Sequence, residues 1–152
     1  MKFLPLFITS FCLVCSAELT MAQKISADEV PDVVKLAVAK VYKGKDIEWS
    51  REDAGYEATF EQMHRETSLV IDSSGGIVET ETEIAKSQLP PAVVQSMKGE
   101  YAGYKLEEVA KIVTSSGSVT YETEVESGND TFELLFDSGG KLLSKKRIEE
   151  HD

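Results

Sequence analysis

The feature that most constrains this chain is a phrase it uses twice. "LVIDSSGGIVETETEI" occupies residues 69–84, and "LLFDSGGKLLSKKRI" returns at 134–148. Val30-Pro31 corresponds to Leu89-Pro90, Tyr42 to Tyr101 and Ile47 to Leu106, all at an offset of 59. Tyr56-Glu57 then matches Tyr121-Glu122, and Asp72 matches Asp137, at an offset of 65. Gly76 with Gly140 and Ile84 with Ile148 settle at 64. The offset grows between Leu106 and Tyr121, as a single lengthened hairpin requires, because two strands that both gain residues keep their register. Self-similarity of this kind marks a repeated supersecondary unit. The expected repeats cover about 24–86 and 87–150 of the sequence.

Each repeat opens on a helical stripe. Val30, Val33, Val34, Ala37, Val38 and Val41 recur at three- and four-residue steps, with Asp28 and Glu29 at the positive end of the helix dipole. In the second repeat Pro90 and Pro91 precede Val93, Val94, Met97 and Tyr101, and proline suits a helix start, where a missing N–H costs little. Alternation at period two follows. "YEATF" sets Tyr56, Ala58 and Phe60 against Glu57 and Thr59. "IVETETEI" sets Val78, Thr80, Thr82 and Ile84 against Glu79, Glu81 and Glu83. "VTYETEVE" sets Val119, Tyr121, Thr123 and Val125 against Thr120, Glu122, Glu124 and Glu126. That period predicts antiparallel sheet with one covered and one wet face. The turns "DAG", "DSSGG", "SSG", "SGND" and "DSGG" separate the strands. The expected class is therefore α+β: a tandem repeat of a helix followed by four antiparallel strands, with the helices packed on one face of the sheet. A unit of about 60 residues buries too little surface to be secure alone, so the two repeats are expected to share one domain.

The ends and the charge narrow the compartment and the chemistry. Lys2, the apolar run Phe3 to Ala17 and the exit "ELTMAQ" form a secretory signal peptide over residues 1–22, with cleavage between Ala22 and Gln23. The mature chain is then a single domain, 23–152. The run is shorter than the roughly 20 residues a membrane-spanning helix needs, so no membrane insertion is expected. Cys12 and Cys15 both lie in the leader, and Val14 stands where a lipoprotein signal places Gly, Ala or Ser, which argues against acylation. A periplasmic or secreted protein without thiol chemistry is expected. The net charge of −11 opposes nucleic acid and anionic lipid as partners.

These residues together carry a family likeness. "DIEWSREDAGYEATF", "SLVIDSSGGIVETETEIAKSQLPPAVV" and a closing "FELLFDSGGKLL" resemble the PepSY-like domain family, exported bacterial proteins described as similar to β-lactamase-inhibitor protein. The resemblance covers nearly the whole mature chain. It implies a tandem α+β fold, export and no enzymatic activity, with protein binding inferred from fold alone.

The residues themselves offer catalysis little. His64 lies near a turn and His151 near the C-terminus. A metal site built on imidazole needs clustered ligands, and a nucleophile needs an adjacent base. No cofactor is expected. The candidate binding face is Glu57, Thr59, Glu61, Glu79, Glu81, Glu83, Glu122, Glu124 and Glu126. It suits a basic protein or peptide, held by a salt-sensitive attraction. Trp49 and Tyr104 are the candidate anchors. Because a tight protein-binding face normally carries Tyr, Trp, Phe or Arg, these glutamates argue against β-lactamase itself as the target. Two alternatives stand beside this reading: a structural or stress-related envelope protein without a ligand, and a weak calcium binder that uses the carboxylate rows. The sequence leaves the oligomeric state open.

Overall fold

The fold was determined as a computed structural model, which describes residues 23–52 and 55–148. The expected signal peptide with Ala22, the "DA" of the first turn and His151 lie outside the described residues. Gln23, the other side of the expected cut, begins the first strand.

Nine strands follow one another: β1 Gln23–Ile25, β2 Glu48–Glu52, β3 Gly55–Gln62, β4 Arg65–Ile71, β5 Ile77–Glu83, β6 Lys105–Thr114, β7 Val119–Ser127, β8 Asp130–Asp137 and β9 Leu142–Ile148. Two ten-residue helices interrupt them, α1 Asp32–Val41 between β1 and β2, and α2 Pro91–Glu100 between β5 and β6. The expected class needs correcting. The described residues form one nine-stranded antiparallel sheet, hydrogen-bonded in sequence order, rather than a tandem repeat of helix followed by four strands with helices on one face. A strand, β1, precedes the first helix and pairs with β2, Ile25 opposite Trp49. Three residues are too few to show an alternation, so period alone does not reveal β1.

The helix starts also differ from the apolar stripe. Ala27–Glu29 is a separate 3-10 turn, in which Glu29 accepts hydrogen bonds from the backbone N–H and hydroxyl of Ser26. Pro31 drives Val30 into extended backbone, and α1 begins only after it. Lys86–Gln88, Leu89 and Pro90 do the same before α2.

Packing divides the described residues into two compact units, the first ending at Thr80 and the second beginning at Glu81. In the first, Val30, Val34, Ala37 and Val38 pack with Trp49, Tyr56, Ala58, Phe60, Leu69 and Ile71, and Tyr42 stacks on Phe60 with ring centroids 4.1 Å apart. In the second, Leu89, Val93 and Tyr101 pack with Val109, Val125, Leu134 and Phe136. Each core takes alternate strand residues, which leaves the intervening ones for the opposite face.

The turn after β4 and the turn after β8 share one construction. Asp72 Oδ1 accepts the N–H groups of Ser74 and Gly76, and Asp137 Oδ1 accepts those of Gly139 and Lys141. Gly75 and Gly140 then take positive φ, 88° and 82°, and lie under the first turn of the helix in their own unit. A Cβ on Gly140 would stand 2.5 Å from the Ala92 carbonyl oxygen, and one on Gly75 would stand 3.0 Å from that of Val33. The geometry aligns Gly75, not Gly76, with Gly140. Gly140→Ala therefore combines a left-handed backbone with a backbone clash and should lower the unfolding free energy by about 2–3 kcal/mol. Gly99→Ala, in α2 with open space around it, should leave stability unchanged or raise it by up to about 1 kcal/mol. Urea midpoints at constant slope test both.

Candidate functional site

The residues that alternate with the first core meet on the other face of β2–β4. Glu57 stands opposite Ser50 and Val70, and Thr59 opposite Ser68. Glu57 is only 3% exposed. It accepts hydrogen bonds from the hydroxyl groups of Ser50 (2.9 Å) and Ser68, while Thr59 and Ser68 bond through their hydroxyls at 3.2 Å. Burial pushes the Glu57 carboxyl above its ordinary range, the two serine bonds pull it back, and the charge of Glu79 adds to the rise. Glu61 is exposed at the end of β3, 3.4 Å from His64 Nδ1.

In the second unit, the register builds two rows across the strands. Glu108, Glu124, Glu133 and Lys146 form one; Ala110, Glu122, Leu135 and Ser144 form the next. Glu81, Glu122 and Glu133 are all buried, Glu81 to 2% exposure. Glu122 is raised well above an ordinary carboxyl, first by burial, then by the charges of Glu81 and Glu133 and a hydrogen bond with Glu133, against the pull of Lys146. A bond between two carboxyls needs a proton on one of them, so the Glu122–Glu133 pair holds a proton between its members. Half-buried Glu124 is pushed up to about 7 by burial and then by Glu108, Glu107, Glu126 and Glu133. Glu108 rises for the same reasons, burial first and then the charges of Glu83 and Glu107, with Lys86 opposing. At the rim, Lys105 pairs with Glu107 and, at 3.5 Å, with Glu126. Lys105 pulls the half-buried Glu107 carboxyl below its ordinary range.

The residues of the expected face are not uniformly open. Thr59, Glu79, Glu83 and Glu124 are half-buried, and Glu61 and Glu126 are exposed. Glu57, Glu81 and Glu122 are buried, a correction to their place on an open surface. Serine hydroxyls stand in for water at Glu57, and the Glu133 carboxyl does so at Glu122. Trp49 is corrected as well: it lies in the first core at 7% exposure and is no surface anchor. Tyr104 is half-buried against the second core. Glu108 and Glu133 escaped the sequence reading. The two-residue turn Gly128-Asn129 was the available signal, since pairing Ser127 with Asp130 sets Glu133 opposite Glu124. The bulge between Leu106 and Glu108 hides the other. Among the described residues no group of three or more His, Cys, Asp and Glu is placed to hold a metal ion, and no helix is long and apolar enough to cross a membrane.

The raised carboxyls set a direction for pH. In the unfolded chain they ionise near 4.5, while the folded protein still holds their protons. The stability they contribute is complete below about pH 4.5 and is lost as pH rises through the folded values, about 7 for Glu124. The melting temperature should fall between pH 5 and pH 8, by several degrees for a half-buried group worth on the order of 1 kcal/mol after solvent screening. Glu124→Gln should flatten that slope. Melts of both proteins across this range, with no fall in the parent, would refute the assignment.

Comparison with known proteins bears on the family and the fold. The family model described as "Putative beta-lactamase-inhibitor-like, PepSY-like" matches residues 18–79 and again 77–144. Among solved structures, one from Bacteroides eggerthii described as "putative periplasmic proteins" aligns with TM-score 0.71 at 22% identity, covering 78% of this chain and 89% of its own. A DUF2874 family protein from Bacteroides ovatus aligns with TM-score 0.68 at 23% identity, covering 80% and 89%. A BLIP-like protein from Bacteroides fragilis aligns with TM-score 0.62 at 25% identity, again covering 80% and 89%. No curated protein matches the sequence.

Proposed function

The chain belongs to the PepSY-like, beta-lactamase-inhibitor-like family, and from that premise we propose that it is an exported, non-enzymatic module that binds a basic protein or peptide through its acidic sheet face. The supporting observation is the group of mutually repelling carboxylates in the second unit, Glu83, Glu107, Glu108, Glu124 and Glu126, whose repulsion Lys105 and Lys86 offset only in part. A partner's lysine or arginine placed there would relieve that repulsion and displace protons from Glu124, which supplies a driving force that the free protein lacks. The contacts come from the accessible members in this unit, Glu83, Glu124 and Glu126; the accessible members in the first unit are Thr59, Glu61 and Glu79. Buried Glu57, Glu81 and Glu122 act beneath them, holding the strands' polar face in shape.

Export completes the reading. The leader 1–22 is cut after Ala22, and the periplasmic description of the Bacteroides eggerthii structure supports that compartment. The mature residues 23–152 work as one domain of two repeats. The family's inhibitor-like description supports a binding role over a catalytic one.

The test is capture from envelope extract by the immobilised mature protein at low and at high ionic strength. A partner held at low salt should be lost at high salt. Its association should slow roughly tenfold when Glu83 and Glu126 are both changed to Gln, since rim charges act mainly on the on-rate. A partner retained at high salt and indifferent to those changes would overturn the acidic face as the binding surface.

A further inference from the structure

The second unit also holds an aromatic box with a cation inside it. Tyr101, just past the end of α2, meets Tyr104 edge to face at 5.3 Å between ring centroids, and Tyr104 leans on Phe132 of β8 at 5.9 Å. Phe136 supports Tyr101 from behind at 6.3 Å. Lys145 reaches in from β9. Its Nζ lies 4.3 Å from the ring centre of Phe132, 5.1 Å from that of Tyr104 and 5.4 Å from that of Tyr101. It also donates a hydrogen bond to the Tyr104 hydroxyl at 3.2 Å.

All three distances fall within the roughly 6 Å over which a ring face attracts a cation. The neighbouring cations of β9 behave differently: Lys146 acts on Glu122, and Arg147 pairs with Asp130 at 2.5 Å. Of these three β9 cations, Lys145 is the one that turns to rings, in a protein rich in carboxylates. Tyr101 is buried, Tyr104 and Phe132 are half-buried and Lys145 is exposed, so the box is built from packed residues while its mouth opens to solvent.

We propose that Tyr101, Tyr104 and Phe132 form a binding site for a quaternary ammonium group of the choline type, closed in the free protein by Lys145. A primary ammonium gains less from such a box, because each ring contact displaces part of its strong hydration. A quaternary ammonium carries no N–H to satisfy, and its charge is spread over methyl groups that pack against the rings. Lys145 competes because it is tethered, at a high effective concentration. The native affinity is lowered by the fraction of time the box stands empty. This site is independent of the acidic face and does not rest on it.

The experiment titrates tetramethylammonium and choline into the parent protein and Lys145→Ala, following the ring signals of Tyr101 and Tyr104 by NMR, with sodium chloride as the ionic-strength control. Lys145→Ala should bind about tenfold more tightly than the parent, and Phe132→Leu added to it should abolish binding. Phosphatidylcholine vesicles separate the sources: capture of Lys145→Ala assigns a lipid head group, and free choline binding without capture assigns a soluble ligand. Tyrosine signals in a folded Lys145→Ala that stay still under saturating tetramethylammonium would overturn the proposal, leaving Lys145 as a packing contact. Lys145→Gln, closer in length, serves should the alanine variant not fold.

Discussion

A glycine under the first turn of a helix is the constraint on which each unit depends. Gly75 and Gly140 bring the hairpin backbone to within contact of Val33 and Ala92, closer than any side chain would permit. That approach fixes where the helix begins relative to its strands, and so which residues of the stripe reach the core. In the second unit Ser96 adds a hydrogen bond from its hydroxyl to the Gly140 carbonyl at 2.6 Å. The aspartate that opens each turn is drawn into it, and bonds from Ser74 and Gly76 pull Asp72 below its ordinary range. A small residue therefore does what a larger one cannot: it lets two pieces of backbone touch and keeps the apolar stripe aimed inward.

With most apolar residues committed to one face, the acidic residues gather on the other. Strand geometry then crowds them, because residues directly opposite lie about 5 Å apart. Glutamates that are harmless on separate strands become a coupled group once β6, β7 and β8 are paired. Burial and mutual repulsion drive protons onto the Glu122–Glu133 pair and, near neutrality, onto Glu124. The charge this face presents is thus smaller than a count of its carboxylates. Its protonated members donate hydrogen bonds that ionised ones cannot. A change in pH acts on the same few oxygens that the proposed basic partner would contact.

How much was legible depends on how local the cause is. The hairpins, the strand faces and the prolines before each helix stand in the sequence as turn chemistry and period-two patterns, which neighbours along the chain suffice to determine. The burial of Glu81 is a different matter. Nothing in "ETETE" separates Glu81 from Glu79 or Glu83, and what distinguishes it is the chain brought beside it by the sheet. Trp49 failed as an anchor for a related reason: Ile25, from a strand too short to be read, pairs with it. The aromatic box went unseen because Tyr104, Phe132 and Lys145 are far apart in sequence and share no motif.

Sequence alone determined the alternation of covered and wet positions, the turns that divide the strands, the family likeness and the excess of carboxylates. These follow from periodicity, turn propensity and composition, all of them properties of short stretches. Only the tertiary structure decided that nine strands join in one antiparallel sheet, which carboxyls keep their protons and which rings surround Lys145. Each of those outcomes is set by distances between residues remote in the chain, and both electrostatic repulsion and cation–ring attraction act through such distances.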